Sequence, residues 1–407
     1  MDVLTKLGLT AAVMAILIVR RVRLVYVMSI ASLVLGLLFG FQPLTIMKHM
    51  LSGFLTPETA TLIVTLAAVM VLERMMVEQE IIHRLVDRAQ EALPDPRVTM
   101  ATLPAFMGLL PSAGGAVVSC PMVDQVSTCL NVDAERKVYI NYWFRHVWEY
   151  WFPLYQGVVL AVSILGVNLG SFMIWGLPFS LFTVAVGMAV GFWGLKSQME
   201  LTQVQQEANR WQAWQAFFQE AWPIIAIIGL VLVLKVNVAV ATVLILGALF
   251  INRRYKIQDI PRLLGVLTES DIILTVAAIM AFRGMLEASG AVSALPKIFA
   301  AFGISSLIAI LGLPFFTGLL TGSSAGLVGI SFPLIRPLLL QTGTINMRWV
   351  ALAYAAGKAG LMLSPLHLCF SLSATYFRAN AGKVWLLVAI SEVVVLTLGV
   401  LFYQFII

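Results

Sequence analysis

Residues 103–120 read LPAFMGLLPSAGGAVVSC, and residues 313–330 read LPFFTGLLTGSSAGLVGI. The frame LP-x-F-x-GLL is repeated at an offset of 210 residues (313 minus 103), and a cluster of small residues follows in both copies. A duplicated segment that is interrupted by glycine inside a hydrophobic chain is typical of membrane proteins built from two internal repeats. The repeat therefore predicts a membrane protein that is built from two related halves.

The composition excludes an ordinary soluble domain. Of the 407 residues, 60% are hydrophobic and only 11% are charged, whereas charged residues make up about 25% of soluble proteins. Apolar stretches long enough to cross a bilayer recur along the chain. The net charge of +6 comes from basic residues in short loops between these stretches, which set the orientation of a membrane protein. We therefore expect a lipid bilayer as partner and no nucleic acid.

The apolar stretches predict an all-α integral membrane protein with about ten transmembrane helices. Two further apolar segments, 98–131 and 303–340, are broken by glycine and proline. Each is predicted to be a re-entrant hairpin, because non-helical backbone at membrane depth is tolerated only where it is buried in protein or lines a cavity. The ten spans are predicted near 4–20, 24–41, 57–77, 138–166, 170–195, 220–234, 237–252, 268–287, 347–376 and 382–405.

The duplication extends beyond the two hairpins. For example, FPLY at 152–155 matches SPLH at 364–367, at an offset of 212 residues. Each repeat is predicted to hold five helices and one hairpin, and an odd number of spans places the second repeat in the opposite orientation. The predicted organisation is repeat 1 at 1–195, a cytoplasmic surface linker at 196–219, and repeat 2 at 220–407.

Basic residues predict the orientation. With the N-terminus outside, the outer loops contain few basic residues, whereas arginine pairs such as Arg20–Arg21 and Arg253–Arg254 lie in the cytoplasm. This bias favours both termini outside the cell, in a multi-pass protein of a prokaryotic plasma or inner membrane. The basic residues left outside are Lys6, Lys48, Lys235, Lys297, Arg336 and Arg348.

The two hairpin tips are the first candidate site. Glycine lets the backbone approach a ligand closely, and the N-terminus of a half-helix carries partial positive charge that favours anions. The alternative is that small residues serve only close helix packing. The proposed substrate-binding residues here are Ser112, Ala113, Gly114 and Gly115 in the first tip, and Gly322, Ser323, Ser324 and Ala325 in the second.

The second candidate site is a pair of helices interrupted after the hairpins. Arg145, His146 and Glu149 lie in an aromatic span that Pro153 interrupts, and Lys358 is at the equivalent place in the second repeat. Charges inside a membrane are costly and mark functional sites, so Arg145 and Lys358 are predicted to bind substrate. Alternatively, Arg145 and Glu149, four residues apart on one helical face, neutralise each other and serve packing, or Arg145 extends to the interface.

Coupling to an ion gradient involves a further set of residues. A histidine or a partly buried carboxylate can take up a proton near neutral pH, while hydroxyls and carbonyls can coordinate Na⁺. Both coupling ions remain open. No cofactor or bound metal is expected, since the three cysteines show no metal spacing. The candidate ion-coupling residues are His146, Glu149, Ser364 and His367.

The chain resembles the ion transporter superfamily, which includes gluconate, citrate, dicarboxylate and arsenite carriers. LPSAGGAVVSCPMVD at 110–124 and FRHVWEYWFPLY at 144–155 are most similar to its uncharacterised branch, domain-of-unknown-function family 401. The resemblance implies a substrate bound between the hairpin tips and the helix breaks, a moving transport domain and a homodimer. The dicarboxylate branch carries Ser-Asn-Thr at the tips, but here the positions read Ser-Ala-Gly and Ser-Ser-Ala, which questions Na⁺ use and dicarboxylate specificity.

These features favour a secondary active transporter of a small anion, with an organic carboxylate as the expected class and elevator-type alternating access. The alternatives are an anion channel, and a membrane-embedded enzyme or scaffold subunit. No phosphate loop, HExxH cluster or nucleophile elbow is found in the sequence, so we expect no enzymatic activity. The identity of the substrate, the coupling ion and the direction of transport stay open.

Overall fold

The structure, a computed structural model, describes residues 2–93, 95–109, 115–128, 130, 132–195, 210–269, 271–291, 294–295, 301, 303, 305–341 and 343–405. Over these residues the chain is almost entirely α-helical, with one short antiparallel pair of strands, β1 (Leu340–Gln341) and β2 (Thr344–Ile345). The all-α prediction is confirmed. The helices are α1 (Val3–Val19), α2 (Leu24–Leu38), α3 (Pro43–Phe54), α4 (Pro57–Glu78), α5 (Ile81–Ala92), α6 (Pro96–Met107), α7 (Gly115–Ser127), α8 (Ala134–Arg145), α9 (Gln156–Leu165), α10 (Leu169–Phe192), α11 (Arg210–Leu232), α12 (Val238–Asn252), α13 (Ile260–Glu269), α14 (Ile272–Ala288), α15 (Ser306–Thr321), α16 (Ser324–Leu339), α17 (Met347–Met362), α18 (Leu368–Tyr376) and α19 (Ala381–Phe405).

Several helices have the length and composition of membrane spans. Within the described residues, α4, α10, α11 (from Trp211) and α19 are long and apolar enough to cross a bilayer. The segment Ile257–Glu269 and α14 form a bent pair, with an angle of 51°, that could count as a fifth span. Six shorter apolar helices accompany them, among them α15 and α16. This pattern is that of a multi-pass membrane protein.

Both helices that the sequence predicts to be interrupted are interrupted. In the predicted span 138–166, α8 ends at Arg145 and α9 begins at Gln156, and the predicted span 347–376 is divided between α17 and α18. Residues 210–219 of the predicted surface linker are helical and continuous with α11, which therefore begins before the predicted span at 220–234. Residues 196–209 of that linker lie outside the described residues.

The chain forms two compact units, each assembled from three stretches of sequence. Unit 1 contains Met1–Met70, Gln156–Trp175 and Leu264–Leu366. Unit 2 contains Val71–Tyr155, Gly176–Leu263 and His367–Ile407. Each unit therefore draws on both predicted repeats. A repeat is defined by related sequence, whereas a compact unit is defined by contacts, so the two divisions need not coincide.

In unit 1, two helix pairs pack with close backbone contact. Helices α2 and α3 pack on α14, and a Cβ added to Gly53 of α3 would lie 2.7 Å from the Gly284 Cα of α14. Helix α15 packs along α17, and α16 contacts α9, α14 and α15. Small residues at such crossings let helices approach closely, which is how van der Waals packing holds helices together in a membrane.

In unit 2, α8 is the central helix. It contacts α6, α7, α18 and α19, and its residues Tyr139, Tyr142 and Trp143 are fully buried. The Trp143 indole N–H donates to the Thr183 carbonyl oxygen of α10 at 2.8 Å, so this large side chain is buried with its polar group satisfied. Helix α8 thereby positions the residues that follow it, where the candidate site begins.

Candidate functional site

The second predicted tip, in unit 1, is a helix–turn–helix. Helix α15 ends at Gly322, which has a φ of 59° in the left-handed region that favours glycine. Ser323 then caps α16, accepting a hydrogen bond from the Gly326 N–H at 3.0 Å. The N–H groups of this first turn carry partial positive charge. Residues Gly322, Ser323 and Ser324 are half-buried and Ala325 is buried, so the tip can accept a ligand.

The first predicted tip is only partly described. Ser112, Ala113 and Gly114 lie outside the described residues. Gly115 is the first residue of α7, and α6 ends eight residues earlier at Met107.

The glycine of the duplicated frame has the same packing role in both copies. In unit 2, a Cβ added to Gly108 would lie 2.7 Å from the Arg145 carbonyl carbon at the end of α8. In unit 1, a Cβ added to Gly318 would lie 2.9 Å from the Leu361 backbone nitrogen of α17. Both glycines allow the first hairpin helix to contact the backbone of the interrupted helix that follows. This close contact explains why a glycine is needed at this position in both copies.

The break after α8 contains the buried charges of unit 2. Arg145, His146 and Glu149 are 4%, 3% and 7% exposed. Because α8 ends at Arg145, Arg145 and Glu149 do not lie on one continuous helical face as the sequence had suggested. Glu149 Oε1 instead lies 3.7 Å from His146 Nε2. The carboxylate is therefore a neighbour of the imidazole.

Side chains of the break segment cap the end of α6, a role that the sequence analysis missed. The last carbonyls of a helix have no partner within the helix. Here the Trp148 indole N–H donates to the Ala105 carbonyl at 2.7 Å, Arg145 Nη1 donates to the Met107 carbonyl at 3.4 Å, and the Tyr155 hydroxyl donates to the carbonyl of Gly108. The aromatic and basic residues of this motif thus hold the first hairpin against the break.

Two histidines far apart in sequence meet in unit 2. His146 Nε2 lies 2.9 Å from His367 Nε2, and His146 Nδ1 lies 2.6 Å from the Tyr142 carbonyl oxygen. The Tyr142 ring packs edge-on against the His146 ring, with 4.8 Å between centroids. Cys369, two residues after His367, is also within this cluster. Three of the four predicted ion-coupling residues, His146, Glu149 and His367, are therefore brought together.

In unit 1, Lys358 lies near the end of α17 and Ser364 lies in the break that follows this helix. Lys358 is only 1% exposed, and Ser364 is also buried, its hydroxyl accepting from the Leu366 N–H at 3.2 Å. One turn before Lys358 on α17 is Tyr354. A Cβ added to Gly157 would lie 2.6 Å from the Tyr354 hydroxyl and 2.9 Å from the Ser324 Cβ, so Tyr354 and the tip serine lie close together. Helix α17 thus presents a tyrosine and a lysine along the side that approaches the tip.

A family model described as "Protein of unknown function (DUF401)" matches residues 2–406. The chain belongs to this family. The match covers nearly the whole chain. A comparison with curated proteins gives no match.

The structure of this DUF401 protein also contains two buried polar groups that the sequence analysis did not select. Glu392 of α19 is buried, and it is the only charge in the apolar run 384–403, a signal that could have identified it. Asn141 of α8 donates to the Ser373 hydroxyl at 2.8 Å and to Cys120 Sγ at 3.2 Å. Both belong to unit 2, which is thus the more polar of the two interiors.

Proposed function

We propose that this protein is a secondary active transporter of a small anion, with an organic carboxylate as the favoured substrate class and H⁺ or Na⁺ as the coupling ion. The observation that carries the proposal is the burial of Arg145 and Lys358 in a chain of membrane-spanning composition. Insertion of a cationic side chain near the centre of a bilayer costs about 2.5–3.5 kcal/mol even on the scale that gives the lowest values, and such residues usually have a functional role. In this role the two cations would attract a substrate anion.

Unit 1 supplies the features of an anion site within one compact body. The first turn of α16 offers backbone N–H groups and the hydroxyls of Ser323 and Ser324. Tyr354 approaches this turn, and Lys358 follows one helical turn later. A carboxylate bound by amides, hydroxyls and an ammonium group in a water-poor environment is held by charge-assisted hydrogen bonds, which are about twice as strong as neutral ones. We assign substrate binding to this set.

Unit 2 supplies the candidates for ion coupling. His146 lies beside both Glu149 and the sequence-distant His367. Ser364 is the candidate Na⁺ ligand in the other unit. In this proposal Arg145 adds positive potential and also holds the end of α6. The coupling ion is left open between H⁺ and Na⁺, and a transport assay with each gradient distinguishes them.

The proposed architecture is that of two inverted repeats with about ten spans and two re-entrant hairpins. The equivalent packing of Gly108 and Gly318 and the equivalent breaks after α8 and α17 support it. With both termini outside a prokaryotic inner membrane, the first hairpin opens from the cytoplasm and the second from outside. Alternating access by an elevator motion in a homodimer completes the proposal, and these last two elements derive from the family resemblance.

The test is uptake into proteoliposomes that contain the purified protein. Labelled mono- and dicarboxylates are supplied with an imposed pH gradient, with a Na⁺ gradient, or with neither. The Lys358→Met variant removes the buried charge, and Lys383→Met is the matched control, since the Lys383 side chain is 73% exposed. Loss of a hydrogen bond to a charged group costs about 1.5–3 kcal/mol, so Lys358→Met should raise the KM for the transported anion by about 10- to 150-fold. Lys383→Met should leave this KM unchanged.

The outcome separates the proposal from its alternatives. Gradient-driven accumulation that Lys358→Met abolishes supports a coupled transporter. Passive conductance without accumulation indicates a channel instead. If no carboxylate is transported under either gradient, or if Lys358→Met transports as well as wild type, the assigned substrate site is wrong.

A further inference from the structure

Three side chains with metal-binding atoms converge in unit 2, where the break after α8 meets the start of α18, and Glu149 lies beside one of them. His146, His367 and Cys369 each offer a ligand atom, and these three atoms lie within 4.8 Å of one another. Glu149 adds a carboxylate oxygen 3.7 Å from His146 Nε2. Three of the four side chains are buried and His367 is half-buried. The cluster is therefore compact and shielded from bulk water.

The hydrogen bonding of His146 prepares one ring nitrogen as a ligand. Nδ1 lies 2.6 Å from the Tyr142 carbonyl oxygen, and a carbonyl can only accept, so the proton is assigned to Nδ1. The lone pair is then on Nε2, which is the atom directed at His367. Metal-binding histidines almost always donate their second nitrogen to a carbonyl or carboxylate in this way, which fixes the tautomer and the ring orientation.

The distance between the two histidine nitrogens suits a small tetrahedral ion after little movement. The two Nε2 atoms are 2.9 Å apart. Two nitrogens bound to one tetrahedral Zn²⁺ at about 2.0–2.1 Å are about 3.3 Å apart, so a separation of the rings by about 0.4 Å completes the geometry. The donor set selects the ion, since hard cations such as Ca²⁺ and Mg²⁺ prefer all-oxygen ligands, whereas imidazole and thiolate suit zinc.

The charges also balance. A thiolate and a carboxylate together carry two negative charges, which a divalent cation neutralises, and a buried charge is tolerated only when it is paired or coordinates a metal. We propose that His146, His367 and Cys369 bind a zinc ion, with Glu149, which lies beside His146, as the fourth ligand after a side-chain movement. With Glu149 in the fourth tetrahedral position the site is closed, and closed sites are structural. The zinc joins the break after α8 to the first turn of α18.

This proposal does not rest on the transport function, because zinc binding is measured on the purified protein without any transport assay. It does bear on coupling, since zinc and a coupling proton would use the same nitrogen lone pairs. A zinc-loaded cluster therefore cannot also carry a coupling proton on these nitrogens.

The experiment uses the full-length protein in detergent. After removal of metals with a chelator, the protein is incubated with ZnCl₂ and passed through a desalting column, and bound zinc and copper are measured by elemental analysis. We expect one zinc per chain. Cys369→Ser and His367→Gln should weaken binding by at least about 10- to 100-fold, since even changes beside metal ligands cost that much. Cys120→Ser and His83→Gln, which change the same residue types outside the cluster, should bind like wild type.

Two further readouts keep the proposal falsifiable if a variant folds poorly. Co²⁺ bound in place of zinc should give a thiolate charge-transfer band that Cys369→Ser lacks and Cys120→Ser retains. Zinc should also raise the melting temperature of the wild-type protein, because a ligand that binds only the native state stabilises it. The proposal is overturned if wild type binds no stoichiometric zinc, if zinc leaves its melting temperature unchanged, if copper is bound in preference, or if the charge-transfer band survives in Cys369→Ser.

Discussion

Replacing Gly318 by alanine tests whether the duplicated glycine is required for helix contact. Gly318 lies in α15 where this helix packs along α17, and an added Cβ would lie 2.9 Å from the Leu361 backbone nitrogen and closer still to the Gly357 carbonyl oxygen. Ordinary contact begins at 3.4 Å. An alanine therefore requires the two backbones to separate by at least 0.5 Å (3.4 minus 2.9), because neither neighbour is a side chain that could rotate away.

The magnitude follows from a matched control in the same helix. A Cβ added to Gly312 of α15 meets nothing within 4 Å. Both substitutions gain the same helix propensity, up to about 1 kcal/mol, so their difference isolates the packing term. Overpacking a close contact costs about 1–3 kcal/mol. Gly318→Ala should therefore be less stable than Gly312→Ala by about 1–3 kcal/mol.

The assay is unfolding of the purified variants in detergent by increasing denaturant, followed by tryptophan fluorescence. The difference in midpoint, multiplied by a common slope, gives the difference in unfolding free energy. Gel filtration beforehand shows that both variants are monodisperse. Equal midpoints for the two variants would refute the close contact between α15 and α17.

The same comparison in the other compact unit tests whether the two copies pack alike. Gly108→Ala at the C-cap of α6 should destabilise the protein by a similar amount, since its Cβ would lie 2.7 Å from the Arg145 carbonyl carbon. Gly229 of α11 has nothing within 4 Å and is the control. A sensitive Gly108 with a tolerant Gly318 would argue against equivalent packing in the two repeats.

Three further predictions concern capping and charge. Tyr155→Phe removes the hydroxyl that caps the end of α6, so the denaturant midpoint should fall by the equivalent of about 1–3 kcal/mol, the cost of a buried unsatisfied acceptor; an unchanged midpoint contradicts the capping role. Ser323→Ala and Ser305→Ala each remove a helix N-cap and should each cost about 1 kcal/mol, but only Ser323→Ala should also raise the KM for a transported anion. Glu220→Gln removes the shared ion-pair partner of two arginines. It should destabilise the protein by about 0.5–1 kcal/mol more than Glu91→Gln, which removes an ion pair that is half exposed. The difference in unfolding free energy between the two variants should become smaller at high salt.

Much of the second tip could be predicted from the sequence, because the conformation there is set by local chemistry. Gly322 tolerates the left-handed region at a helix end, and Ser323 is a favoured N-cap, so the pair marks a turn between two helices wherever it occurs. That the span at 138–166 is interrupted was also visible, since Pro153 cannot continue the hydrogen bonding of a helix. What failed was the inference that Arg145 and Glu149 share a helical face, because the helix ends before the spacing applies.

Contacts between distant positions could not be predicted in the same way. The hydroxyl of Tyr155 and the indole of Trp148 cap α6, about 40 residues earlier in the chain. No local sequence pattern indicates which carbonyl oxygens these side chains bind. The His146–His367 contact joins residues 221 positions apart. The cysteines showed no metal spacing, because ligands on two different helices have no fixed spacing in sequence.

The chain's hydrophobicity, helix ends and duplicated LP-x-F-x-GLL frame follow from residue chemistry that acts over one or two turns, so the sequence is sufficient to predict an all-α membrane protein with interrupted helices. The division into two compact units, each assembled from three stretches, and the meeting of His146, Glu149, His367 and Cys369 depend on how whole helices pack. Packing selects among many arrangements of the same apolar helices through shape, as the close contacts at Gly108 and Gly318 illustrate. The arrangement of the helices therefore depends on the surfaces of several helices at once, and it is visible only in the tertiary structure.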